Sequence, residues 1–299
     1  MSVRQKGNVM VKSKNNLIQN DYIVLDAAQM GSVKFAEPFV MRAKSLKYAT
    51  TNGTLLSNNS SLRLSRYMRI SNVKEILDGN LRFDIPTRWT DPFEKLFYKN
   101  QITISSKQFY VACLCFIIDA NDGEECLWYV HGNICNQKAN IKDNIIRATF
   151  NIEILCNSLS NSNPDVTFYF APIDYTFSRE KILKHYQSRL YTHYSSIEEY
   201  IDDLLIKRQA FSYEHEVRLF AVSEKPFETD NGGFCFYKLK KGKSIITSIT
   251  LPPLPINSSY NKTHYHKTLE SRLSKLKSVI VADGFKKVIK QSRLYDIIK

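Results

Sequence analysis

The segment SKQFYVACLCFII, residues 106–118, most constrains what this chain can fold into. Its apolar run has no polar alternation, yet it falls well short of the roughly 18 residues a membrane helix needs. A run of this length and composition reads as a strand buried inside a sheet. Other strand-like runs supply its neighbours. They are DYIVLDAA (21–28), LRLSRYMRI (62–70), LRFDIP (81–86), NIIRATFNIEIL (144–155), VTFYFAPIDY (166–175), FSYEHEVRLFAV (211–222), FCFYKLKKG (234–242) and SIITSITLPPL (244–254).

Helices are fewer. VKEILDG (73–79) is expected to be capped by Ser71 or Asn72 and closed by Gly79. TRWTDPFE (87–94) is a loop turning into a helix, with Pro92 in its first turn. SREKILKHYQSRL (178–190) and SSIEEYIDDLLIKRQ (195–209) are helical, the second opened by a capping box of Ser195 and Glu198. HKTLESRLSKLKSVI (266–280) is a basic amphipathic helix with Leu269, Leu273 and Leu276 on one stripe. Strands outnumber helices and do not alternate strictly with them. That favours an α+β fold, a mixed and mostly antiparallel sheet core with short flanking helices.

With 299 residues, 43% hydrophobic, the chain is long enough to bury a core without disulfide staples. Its six cysteines (113, 115, 126, 135, 156 and 235) form no CxxC pair and no zinc-type spacing with histidine. Cys113 and Cys115 share one face of an apolar strand and read as inert core thiols. Scattered cysteines and a start without an apolar run imply a reducing, cytoplasmic setting. His264 and His266 are two apart but have no evident third ligand, so no metal site is expected. No glycine-rich phosphate loop occurs.

The net charge of +13 is uneven. Residues 1–60 carry 8 Lys/Arg against 3 Asp/Glu, and residues 238–299 carry 14 against 3, so residues 61–237 hold a net −3. This divides the chain into a basic N-terminal extension (1–60), a core domain (61–237) and a basic C-terminal segment (238–299) packed on that core. Basic ends on a near-neutral core suit a polyanion such as nucleic acid, and equally suit solubility alone. Lys240, Lys241, Lys243, Arg272 and Lys275 are the candidate nucleic-acid contacts.

Three segments could carry chemistry. In SYEHEVRLF (212–220), strand alternation puts Glu214, Glu216 and Arg218 on one face and Tyr213, His215, Val217 and Leu219 on the other. Paired carboxylates there could orient a sugar hydroxyl and stabilise positive charge, or could simply be a solvated face with a local Glu–Arg pair. In residues 66–94, Arg66, Tyr67 and Arg69 end a strand before a helix start, a setting that favours phosphate or is an ordinary surface turn. Trp89 beside Asp91 and Pro92 needs a packing or binding partner. In LWYVHG (127–132), Trp128 and Tyr129 could form a stacking wall, although aromatics are more often core.

These segments, in this order, resemble a bacterial family known as domain of unknown function 2971. The resemblance rests on RYMRI, VKEILDG, LRF, TDPFE, LWYVHG and Tyr213-Glu214-x-Glu216-x-Arg218, and spans roughly residues 62–220. Thr90 stands where the family usually has Asn, and LWYVHG diverges from its pattern. A fold-level resemblance to ADP-ribosyltransferase-like proteins implies more. By it, NAD is the cofactor, Arg66 and Tyr67 hold it, Trp128 and Tyr129 wall the nicotinamide, and Glu216, aided by Glu214, is catalytic. Two departures stand against it: no Ser-Thr-Ser segment occurs, and Arg218 shares the face of Glu216. Two functions stay open. One is a NAD-consuming transferase acting on nucleic acid or a nucleic-acid-bound target. The other is a non-catalytic nucleic-acid-binding or assembly module. By resemblance to how such families occur, a bacterial stress or phage-defence setting suits either. Residues 66–94, 126–131 and 212–218 are expected to converge on one cleft.

Overall fold

The structure is a computed structural model. It describes residues 17–19, 22–24, 39–42, 64–89, 91–118, 127–128, 144–230, 233–240, 242–253 and 262–292. Strands β1 (Leu17–Gln19) and β2 (Tyr22–Val24) form a separate antiparallel pair. β3 (Phe39–Arg42), β4 (Leu64–Arg69) and helix α1 (Ile70–Leu77) follow. Then come β5 (Asn80–Asp84), α2 (Pro92–Lys95), β6 (Ile102–Ile104), β7 (Lys107–Ile118), β8 (Ile145–Phe150) and α3 (Ile152–Ser162). Next are β9 (Thr167–Pro172), β10 (Asp174–Phe177), α4 (Arg179–Arg189), α5 (Ile197–Leu204), β11 (Ile206–Arg208) and β12 (Glu216–Ser223). The chain continues through β13 (Phe234–Lys238), α6 (Gly242–Ile245), β14 (Ile246–Leu251), α7 (Lys262–Ala282) and β15 (Val288–Gln291).

An eleven-stranded sheet has the main order β15-β14-β8-β4-β7-β12-β9-β3; off this path β6 pairs β7 at Lys107–Phe109, β5 pairs β7 at Cys113, and β13 pairs β5. β14 and β15 pair in parallel, as do β10 and β11 in a small second sheet, and the other ladders are antiparallel. The fold is therefore α+β, as the strand-rich pattern implied. β7 lies inside the sheet, paired with β12 from Tyr110 to Ile117 along one edge.

Alternation along β7 and β12 splits the core in two. Ala112, Leu114 and Phe116 join Val217, Leu219 and Ala221 in a cluster with α1, α3 and the Leu276 stripe of α7. Val111 and Cys113 join Phe220 and Val222 on the opposite face, under α4, α5 and Phe97. Both faces of the central strands are thus covered, which explains why residues 109–118 lack a polar side. β14 and β15 continue this sheet beyond β8, so strands of the basic C-terminal segment lie in the core sheet.

Local structure departs from the sequence pattern at several ends. The run 144–155 is two elements: Asn151 Oδ1 accepts from the Ile154 N–H at 2.9 Å and starts α3 where a continuous strand was expected. α1 begins at Ile70 without a side-chain cap, and the Ile70 N–H bonds the Asn144 carbonyl at 3.1 Å instead. The capping box of α5 is shifted by one: Ser196 receives the Glu199 N–H, and Glu199 reaches back to the Ser195 N–H at 2.8 Å. Residues 244–254 begin with α6 before β14 starts.

Candidate functional site

The Tyr213–Arg218 segment is not one strand. Gln209–Glu214 form a 3-10 turn, His215 is left-handed at φ 45°, and β12 starts only at Glu216. Strand alternation therefore does not apply at Glu214. The turn nonetheless brings Glu214 to the same place as Glu216 and Arg218, through a residue the sequence reading passed over, Lys207 of β11.

Lys207 Nζ lies 2.5 Å from Glu214, 2.8 Å from Glu216 and 3.1 Å from Glu94. Arg218 uses its whole guanidinium edge. Nε donates to Glu216 at 2.7 Å, Nη1 to the Leu204 carbonyl at 2.6 Å, and Nη2 to Glu94. The Trp89 ring sits 4.1 Å from the guanidinium carbon, a cation–π contact that gives this loop tryptophan its packing reason. Asp91, two residues on, caps α2 through the Phe93 N–H and takes two hydrogen bonds from Arg208, at 3.1 and 3.2 Å. The DPFE loop and the YEHEVR segment are thus locked together by ion pairs. The reading of 212–220 as a solvated face is overturned: Glu216 is 6% exposed and Arg218 is 1% exposed.

The electrostatics follow from this burial. Three carboxylates (Glu94, Glu214, Glu216) face two cations (Lys207, Arg218). Burial alone would raise the Glu216 carboxyl, but Arg218 and Lys207 outweigh it and hold it well below the usual carboxylate range. The same carboxylates hold Lys207 and Arg218 above their ordinary values against their own desolvation. Glu214 moves the other way: burial, with Glu216 and Glu94, raises it against the pull of Lys207. The carboxylate in excess of the two cations is thus least stabilised at Glu214, the most exposed of the three. Tyr175 closes one side, its hydroxyl accepting the Glu216 N–H at 3.0 Å. Cys115 lies beside Glu216, and its hydrogen bond with Cys113, together with burial, raises its thiol well above the ordinary value.

The remaining candidates are placed as follows. Tyr67 and Trp128 meet edge to face at 4.8 Å, and Tyr213, Ile117 and Ile145 pack against them. Ile117 is the cross-strand partner of both Glu216 and Ser65, so the pair sits next to the ion cluster. Trp128 is 0% exposed, so here it is a core residue and not an open stacking wall. Arg66 donates to the Cys115 carbonyl at 3.5 Å and lies 3.7 Å from Asp84. Tyr129 and Lys241 lie outside the described residues, as does the side chain of Arg272, while Lys240, Lys243 and Lys275 are exposed. A pocket of about 280 Å³ lies at the other end of β12, among Phe109, Thr167, Tyr169, Val222 and Lys225, away from these candidates. Among the described residues, no helix is long and apolar enough to cross a membrane.

Sequence reasoning missed Lys207 and Tyr175. A lone lysine inside the apolar run LLIKRQAF was the available signal, since a buried ammonium needs carboxylate partners. Comparisons with known proteins add no family to this geometry: no protein-family model, no curated protein and no solved structure matches the chain.

Proposed function

We propose that this chain is a nucleic-acid-binding module in which the Tyr213–Arg218 segment secures the fold. One observation carries the reading. The Glu216 carboxylate is buried and held by Arg218 and Lys207 at 2.7 and 2.8 Å, while Lys240, Lys243 and Lys275 stand exposed on the basic C-terminal segment. A carboxylate so engaged orients its own partners, whereas exposed ammonium groups are available to phosphates. Binding of labelled single-stranded and duplex oligonucleotides, followed by anisotropy across a salt series, tests this. Neutralising Lys240, Lys241, Lys243, Arg272 and Lys275 together to Gln should weaken binding and flatten the salt slope. An unchanged slope, or no binding by the parent protein at low salt, overturns the reading.

The second reading is a NAD-consuming, ADP-ribosyltransferase-like enzyme. It is favoured by the adjacency of Glu216, Ile117, Tyr67, Trp128 and Tyr213 on one side of the sheet. As arranged, these residues do not fit NAD. Trp128 has no open face, and Glu216 would have to leave two cations. Nicotinamide release from NAD, with and without nucleic acid, decides between the readings, and its absence in both conditions ends the second.

A further inference from the structure

β13 pairs with β5 alone among the described strands, and its outward residues follow a simple order. Cys235, Tyr237 and Leu239 are buried, while Phe236, Lys238 and Lys240 are exposed and Phe234 is partly so. Successive outward positions on a strand are about 7 Å apart. β13 therefore presents Phe234, Phe236 and Lys238 in a row, and Lys240 follows in the turn after it.

Phe236 is 39% exposed in the middle of its strand, opposite Arg82 of β5. The Arg88 guanidinium lies 3.9 Å from the Phe234 ring, and that of Arg82 lies 4.5 Å from Phe234 and 5.3 Å from Phe236. Arg88, Phe234, Arg82 and Phe236 thus form a ladder of flat π-surfaces. Glu75 pairs with Arg82, and Asp84 lies 3.8 Å from Arg88, so these carboxylates fix the guanidinium planes and cancel their charge locally. The ladder offers stacking, and positive charge enters only further along. Lys238 is anchored by Asn80 at 2.9 Å, Lys240 and Lys243 follow, and Lys287 reaches back to the Ser244 carbonyl at 3.0 Å.

We propose that the outward face of the β5–β13 ribbon is a stacking platform for a single-stranded nucleic acid. Phe236 with Arg82 takes a base, and Lys238 and Lys240 take the phosphates that follow. Aromatic rings and arginine planes accept any base by its π-face, and lysines track the backbone. A duplex has its bases stacked internally and cannot use the ladder. The inference rests on the nucleic-acid reading above and narrows it to unpaired strands.

The test uses the full chain with a labelled thymidine deoxyoligomer, a uridine oligomer and a short duplex, each titrated across a salt series. Phe236→Leu keeps an apolar side chain but removes the ring. It should weaken both single-stranded oligomers by about tenfold or more, the scale of one lost stacking contact. Duplex binding, the salt slopes and the melting temperature should stay at parental values. Lys238→Gln with Lys240→Gln should lower the single-strand salt slope by about 0.7 per lysine. The ratio of the thymidine and uridine affinities separates DNA from RNA as the source of the strand. If Phe236→Leu binds all three ligands as the parent does and the salt dependence persists, the platform is overturned and the broader reading survives. If the parent binds none of them, both fall. If Phe236→Leu instead converts a dimer to a monomer by light scattering with affinities unchanged, the face belongs to a second copy and the platform is overturned.

Discussion

Replacing Glu216 by glutamine probes the buried cluster with the smallest change of shape. The variant keeps an oxygen that can accept from Arg218 Nε or from Lys207, but its new amide N–H groups face donors. Two charge-assisted contacts, at 2.7 and 2.8 Å, are lost or weakened. Removing one partner of a buried ion pair costs about 3–5 kcal/mol. Here three carboxylates share two cations, so Glu216→Gln leaves a balanced set of Glu94, Glu214, Lys207 and Arg218. The cost should fall at the low end, about 3 kcal/mol. Arg218→Met is the opposite case, since it leaves three carboxylates on one ammonium and strips the Leu204 carbonyl and the Trp89 ring of their partner. Its cost should reach about 5 kcal/mol or more. Urea unfolding at neutral pH, followed by tryptophan fluorescence and circular dichroism together, gives both values. The order is the sharp part of the claim. Glu216→Gln within about 1 kcal/mol of the parent, the scale of an ordinary surface ion pair, would refute the reasoning. Arg218→Met milder than Glu216→Gln would refute it as well.

Acid should unfold the protein through depressed carboxylates. Glu216 lies well below 4.5 through Arg218 and Lys207 against its burial, and Glu199 falls to about 2, chiefly through the Ser195 N–H and Arg189. A depressed folded value means stability present above the unfolded value and lost as pH falls, so melting temperature should drop progressively below about pH 4.5; a flat profile from pH 5 to 3 contradicts this. Glu214 has the opposite sign, so Glu214→Gln should stabilise slightly at neutral pH, and a melt lower than the parent's would count against its role as the surplus charge. Gly242→Ala would put a Cβ at 2.1 Å from the Ile76 carbonyl oxygen and should lower the melting temperature clearly, whereas Gly284→Ala, with open space but φ +100°, should cost only backbone strain. Asn151→Ala removes the cap of α3 and should cost about 1 kcal/mol in urea unfolding.

Local chemistry made part of this legible in advance. The unbroken apolar run of β7 demanded cover on both faces, and Gly79, with φ +87°, closes α1 as its position implied. The helix expected over 178–190 forms as α4, where Ser178 accepts the Lys181 N–H, and the Leu273 and Leu276 stripe of α7 meets the core. The clustering of positive charge toward the ends is a property of composition alone. Where strand patterning failed, a single side chain intervened: Asn151 turned an apolar run into a helix start, and the turn ending at His215 shortened β12 by five residues from the expected start at 211.

Which charges meet was beyond local pattern. Glu94 and Arg218 are 124 positions apart, and Asp91 and Arg208 are 117 apart. Their pairing depends on α2 docking beside β12 and on β11 delivering Lys207 between them, outcomes of sheet order and not of spacing. The sequence by itself determined an α+β chain with a buried central strand, basic ends and a Glu-x-Glu-x-Arg segment. Only the tertiary structure decided that this segment turns inward, because two neighbouring elements supply the cations and carboxylates without which buried charges of that kind could not leave water. It also decided that the aromatic face left outward is the one on β13, where Phe236 stays exposed while Cys235 and Tyr237 pack in the core.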